Sequence, residues 1–120
     1  MKKGRKISGG KYKKARKKKL YEKQGQPRVV RLGEKKVKFI KTMGGHKKLV
    51  SLSHNFANVM HNKKAKKAKI KNVIETPSNR FLARQNILVK GAIIETDLGR
   101  ARITNRPSQE GMVQAVLLEK

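Results

Sequence analysis

The stretch Asn86-Ile87-Leu88-Val89-Lys90-Gly91-Ala92-Ile93-Ile94-Glu95-Thr96-Asp97-Leu98-Gly99-Arg100-Ala101-Arg102-Ile103-Thr104 decides how this chain folds. It holds three short runs of apolar and β-branched residues, Asn86–Val89, Ala92–Thr96 and Arg100–Thr104, with Lys90-Gly91 and Asp97-Leu98-Gly99 between them. Runs of that length, rich in Ile and Thr and punctuated by Gly and Asp, predict strands joined by tight turns. A helix would need apolar residues at i, i+3 and i+4 over about 11 positions, and only the last segment, Met112–Leu118, offers that ambiguously.

The same grammar extends outward. Val29–Leu32, Lys36–Lys41 and Lys48–Ser53 read as strands, the last with rough period-two alternation that Phe56 continues. Gly44-Gly45 suits a hairpin that needs positive φ. Ile70–Thr76 precedes a turn at Thr76-Pro77-Ser78-Asn79, and Met112–Leu118 reads as a closing strand after the loop Arg106–Gly111. Strands at roughly 8–12-residue spacing predict an all-β domain, a small antiparallel β-barrel. Its expected limits are residues 28–120, with a polar, Lys-rich inserted loop at 57–71.

Residues 1–27 are different. They hold twelve Lys and Arg and four glycines with almost nothing to bury. Burial cannot offset the ordering entropy of such a segment, so an extended basic N-terminal arm is expected, with Pro27 as its boundary. A weak helical pattern over Lys11–Lys23, with Tyr12, Ala15 and Leu20 loosely on one side, is opposed by the packed lysines.

The formal net charge is +26, from 33 Lys and Arg against 7 Asp and Glu. Residues 1–71 hold 26 of the basic residues and only two acids, Glu22 and Glu34, so the charge is concentrated in the first part of the chain. A chain so charged repels itself and implies a polyanionic partner. Nucleic acid meets that need, and an anionic membrane surface is the rival, but Lys11–Lys23 lacks the apolar face that membrane binding requires. No apolar run approaches the roughly 18 residues of a membrane span, and MKKGRK continues without the apolar stretch of a secretory signal. A soluble, cytoplasmic protein is expected. The absence of cysteine excludes disulfides and thiolate chemistry.

Catalysis finds no foothold. His46, His54 and His61 are spaced too widely for a metal site and are expected at the polar surface or facing RNA, with no metal and no cofactor. Glu95 and Asp97 lie beside Arg100 and Arg102, which suggests cross-strand salt bridges. There is no G-x-S-x-G elbow and no phosphate-binding G-x-x-x-x-G-K-[ST] loop. No catalytic residue and no small-molecule substrate are therefore expected.

The basic residues are the candidates for binding. Lys13, Lys14, Arg16, Lys17, Lys18 and Lys19 form one acid-free run, and Lys63, Lys64, Lys66, Lys67 and Lys69 form another. Each releases counterions on meeting a phosphate. Ahead of the first run, Arg5 and Lys6 precede Ser8-Gly9-Gly10-Lys11, where glycine lets backbone approach a phosphate and Ser8 adds a short donor. Lys47 and Lys48 follow the Gly44-Gly45 pair. Only 4% of residues are aromatic, which disfavours base stacking as the main mode; Tyr12 and Tyr21 can stack or pack.

Several segments together resemble one family. Arg5-x-x-Ser8-Gly9-Gly10 with the KYKKARKKKLYE run, Thr42-Met43-Gly44-Gly45-His46-Lys47-Lys48, Ile74–Arg80 and above all Ile87–Leu118 occur in the order found in the eukaryotic and archaeal S-eight-e family, the eighth protein of the small ribosomal subunit. Met43 stands where that family more usually has Arg. The resemblance implies a β-barrel, an N-terminal extension threaded into small-subunit ribosomal RNA, neighbouring ribosomal proteins, a monomer within the ribosome, and a structural role in subunit assembly and translation.

Overall fold

A computed structural model of the chain describes residues 4–13 and 16–118. Strands dominate it. In chain order they are β1 (Arg31–Leu32), β2 (Lys36–Lys41), β3 (Lys47–His54), β4 (Phe56–His61), β5 (Lys64–Glu75), β6 (Ile93–Thr96), β7 (Gly99–Ile103) and β8 (Gln114–Leu117). One short helix, α1 (Arg80–Arg84), lies between β5 and β6.

Five strands close a barrel in the order β4-β5-β6-β7-β8. Four of its five contacts are antiparallel, and β4 meets β8 in parallel to close it, with Asn58 opposite Gln114 and Met60 opposite Val116. The predicted barrel is therefore present, but its seam is parallel. Short strands with long-range closure leave no local trace of that pairing.

Side-chain alternation explains the barrel. Ala57 and Val59, Ala68 and Ile70, Ile94, Ala101 and Ile103, and Ala115 all point inward and are buried. Alanines recur inside because five strands enclose little volume, so small and large side chains must alternate. Val30, Leu88, Ala92 and Val113 complete the same apolar cluster. Each fully buried aliphatic side chain contributes about 1.5–3 kcal/mol relative to exposure.

A second sheet, ordered β1-β3-β2, packs beside the barrel. The loop after β7 ties the two together. Ser51 N–H donates to the carbonyls of Pro107 and Glu110, both at 3.1 Å. Asn105 braces that loop by donating to Glu110 Oε2 at 2.8 Å and to the Met112 carbonyl at 2.9 Å, while accepting from Gln114 N–H at 3.0 Å. Gly111 sits hard against Leu49, where a Cβ would collide with the leucine side chain.

The structure corrects the sequence reading at several places. Residues 57–71 are not an inserted loop: Phe56–His61 and Lys64–Glu75 are barrel strands, joined by a two-residue turn at Asn62 (φ 47) and Lys63 (φ 61). Positive φ at both positions is the type I′ geometry that matches strand twist. Arg80–Arg84 is helical, capped by Asn79 Oδ1, which accepts from Phe81 N–H at 3.0 Å. Asn86–Val89 is not a strand; it makes a single bridge, Ile87 to Arg31, and Leu88 N–H donates to the Val30 carbonyl at 2.8 Å. His54 is buried, only 7% exposed, instead of lying at the surface. The described part of Lys11–Lys23 is extended except for a single turn of 3₁₀ helix at Leu20–Glu22.

Described residues from Gly4 to Val29 are all exposed, and Val30 is the first buried one. The radius of gyration is 20.8 Å, against about 14 Å for a compact chain of this length. The extended arm accounts for the difference.

Candidate nucleic-acid interface

Three basic surfaces emerge, each built by a different piece of backbone. The first is a small hairpin within the arm. Lys6 N–H donates to the Gly10 carbonyl at 2.9 Å, and Gly9 N–H donates to the Lys6 carbonyl at 2.8 Å. Arg5 pairs with Lys11 across it, and the Arg5 guanidinium reaches the Gly9 carbonyl at 3.3 Å. Gly9 takes φ 78, which an L side chain adopts only at a cost. Arg5, Lys6, Ser8, Gly9, Gly10 and Lys11 are thus brought together in one exposed turn.

Beyond it, Lys13, Lys17, Lys18 and Lys19 are exposed, and Lys14 lies outside the described residues. Arg16 is engaged instead, forming a two-pronged pair with Glu22 whose Nη1–Oε2 distance is 2.9 Å. The Arg16 guanidinium holds the Glu22 carboxyl below its usual range, helped by the Lys19 backbone N–H at 3.0 Å. Arg16 has that acid partner, so its charge is the least free of the described candidates in this arm.

The second surface is the tip of the β4–β5 hairpin. β6 pairs with β5 only from Ile70 onward, so the backbone edge of Lys64–Lys67 facing that side has no strand beside it. Alternation aims Lys67 and Lys69 outward, beside Asn58 and Phe56 on β4, while Ala68 and Ile70 go to the core. The Lys67 ammonium lies 4.4 Å from the centroid of the Phe56 ring. Lys63 and Lys64 form the exposed end, with Lys66 exposed beside them. A charged, twisted edge of this kind resists strand-to-strand aggregation and leaves the ammonium groups accessible.

The third surface lies on the β2–β3 hairpin. Lys47 stands directly opposite Lys41, and Lys48 opposite Ile40. Lys48 Nζ also donates to Gln109 Oε1 at 2.5 Å. Like charges opposite one another destabilise a sheet unless something outside neutralises them. Lys35, Lys36, Lys38 and Lys41 belong to this surface and were missed by sequence reasoning, although the alternation Lys36-Val37-Lys38 carries the signal.

Among the described residues, two ion pairs occur: Arg16–Glu22 and Lys71–Asp97, the latter at 3.6 Å. The expected cross-strand bridges from Glu95 and Asp97 to Arg100 and Arg102 are not among them: Asp97 pairs with Lys71, and Glu95 stands opposite Arg100 in register without a salt bridge. Internal acids therefore neutralise little of the positive field, and phosphate groups are the ligands it suits. Long, rotatable lysines suit phosphates as point charges and carry no base recognition.

Fold and charge define the class: a small all-β barrel protein with exposed basic surfaces. The sequence profile of the family described as ribosomal protein S8e matches residues 1–118. The small ribosomal subunit protein eS8 of Halorubrum lacusprofundi is 44% identical over 115 residues, spanning 96% of this chain and 94% of its own. Its namesake from Methanoregula boonei is 44% identical, over 95% and 93% of the two chains, and that from Nanoarchaeum equitans 43%, over 94% and 91%. The chain belongs to the ribosomal protein S8e family, whose members are structural proteins and not enzymes.

Proposed function

We propose that this chain is a structural constituent of the small ribosomal subunit that binds and stabilises small-subunit rRNA through its phosphate backbone. The observation that carries the reading is the crowding of lysines, Lys41 opposite Lys47 and five lysines in the Lys63–Lys69 hairpin end, with acids absent from both. Such surfaces become favourable only against a dense anion. The relatives' name, small ribosomal subunit protein, supports the same partner.

In this reading Arg5, Lys6, Ser8–Lys11, Lys13 and Lys17–Lys19 follow RNA as an extended arm, while Lys47 and Lys48 on the second sheet and Lys63, Lys64, Lys66, Lys67 and Lys69 on the barrel anchor the folded domain. Lys14 and Arg16 belong to the same arm. The protein works as a single copy in the cytoplasm, beside other small-subunit proteins, supports subunit assembly and hence translation, and acts on no substrate. Sucrose-gradient fractionation of cells expressing a tagged chain tests this. Co-sedimentation with the small subunit is expected, and sedimentation with nucleoid or as free protein refutes the reading.

A further inference from the structure

The part of the chain from Asn72 onward carries no lysine run, yet it holds a polar groove that the phosphate-binding surfaces do not use. β4 pairs with β5 only as far as Lys69, so one edge of Asn72–Glu75 faces α1 instead of a strand. Between them lies a groove of about 380 Å³, lined by Asn72, Val73, Glu75, Arg80, Ala83, Arg84 and Asn86 among others. Val73 and Ala83 supply an apolar floor. Asn72 Oδ1 and Asn86 Oδ1 both accept from Val73 N–H, at 2.9 and 3.3 Å, which leaves their amide NH₂ groups to donate elsewhere. Glu75 contributes an acceptor. Arg80 and Arg84 sit one helical turn apart on the same wall and form no ion pair among the described residues.

The same two arginines reach around the helix to an aromatic ring. Arg80 Cζ is 5.6 Å and Arg84 Cζ 5.9 Å from the centroid of Phe81, which is more than half exposed. Asn79 fixes the ring's position by capping α1 through Phe81 N–H. Phe81 lies on α1 beside the groove lining, its ring partly exposed next to the two guanidiniums. An exposed aromatic ring, adjacent guanidiniums, and a groove with both donors and an acceptor match the parts of one unpaired nucleotide: base face, phosphates and base edge. An acidic peptide fits less well, because Glu75 opposes its carboxylates. A regular RNA duplex hides its base faces and most of its base edges.

We infer that the α1–β5 groove is a binding site for a single-stranded RNA nucleotide, with Phe81 as the stacking surface, Arg80 and Arg84 on the flanking phosphates, and Asn72, Glu75 and Asn86 at the base edge. This rests on the RNA-binding function proposed above and adds to it a site that holds bases where the lysine surfaces hold only backbone. The groove and the lysine hairpin occupy opposite ends of one strand, β5. From Lys66 to Glu75 that strand runs about 30 Å at 3.3 Å per residue, so one rigid element fixes the distance between a phosphate anchor and a nucleotide site.

The test is a titration of isotope-labelled full-length protein with the tetranucleotide r(AAAA), followed by NMR at the Asn72 and Asn86 side-chain amides, the Phe81 ring and the Lys67 backbone amide. The groove resonances are expected to shift together. Phe81→Leu is expected to weaken binding at the groove about tenfold with the salt dependence unchanged, as loss of stacking does. Arg80→Gln with Arg84→Gln is expected to abolish the groove shifts while Lys67 still responds. Shifts at Lys67 with none in the groove would overturn this site and leave the phosphate-binding function standing. Silence at both places would overturn the two together. Equal groove shifts with hexaglutamate, or a Phe81→Leu protein that binds as the original does, would also overturn the nucleotide assignment.

Discussion

Lys63 occupies a left-handed backbone conformation, φ 61, at the second position of the β4–β5 turn. Any L side chain with a Cβ costs roughly 1–2 kcal/mol there, and glycine removes the cost. Lys63→Gly is therefore expected to stabilise the protein by about 1 kcal/mol, read as a rise in melting temperature, with RNA binding weakened only by the loss of one charge. An unchanged or lower melting temperature would show that the turn is not strained. His54 makes a different kind of residue-scale contribution. Burial holds its imidazole below the usual pKa, and Lys35 and Lys67 push the same way. The unfolded chain therefore binds a proton at higher pH than the folded one, and stability falls as pH drops below about 6.5. Melting curves between about pH 7.5 and pH 5 should show that loss, and His54→Gln should flatten it. A variant that retains the full acid sensitivity would place its origin elsewhere.

At the scale of elements, the legible and illegible parts separate by signal type. β6 and β7 are plain in Ala92–Thr96 and Arg100–Thr104, because β-branched residues flank a turn at Asp97-Leu98-Gly99. β5 is concealed. Its lysines dominate the composition, and the turn before it is Asn62-Lys63, which lacks the glycine of the usual hairpin signature. The period-two alternation survives only from Lys67 onward, where Lys67, Lys69 and Lys71 are exposed while Ala68 and Ile70 are buried. α1 is five residues long, too short for helical periodicity to emerge, and its Asn79 cap serves a turn equally well. Because the lysines of β5 point away from the core or lie beyond it, replacing Lys63, Lys64, Lys66, Lys67 and Lys69 with Gln should leave the melting temperature unchanged or slightly higher, as self-repulsion falls. The slope of log affinity for RNA against log salt should become shallower by about 3 to 4. A collapse in stability with unchanged affinity would mean that these lysines serve the fold.

For the whole molecule, the candidate sites were legible as residue types and not as surfaces. The two lysine runs and the Ser8-Gly9-Gly10 turn stand out in the sequence, whereas the Lys41–Lys47 opposition and the α1–β5 groove exist only once strands are paired. Residues 1–27 bury nothing among those described, and Val30, Leu88 and Val113 already close the apolar cluster. A chain of residues 28–120 should therefore fold cooperatively with a β-rich circular dichroism spectrum, and failure to fold would make part of the arm integral to the core.

The most direct test of the phosphate-binding account is the salt dependence of RNA affinity, measured for the full chain and for residues 28–120 side by side. With about eight phosphates engaged, log K for the full chain should fall against log salt with a slope of about −6 to −7. The shortened chain, without the twelve basic residues of the arm, should bind more weakly and with a shallower slope. A full-chain slope shallower than about −2 would contradict phosphate contact as the source of binding.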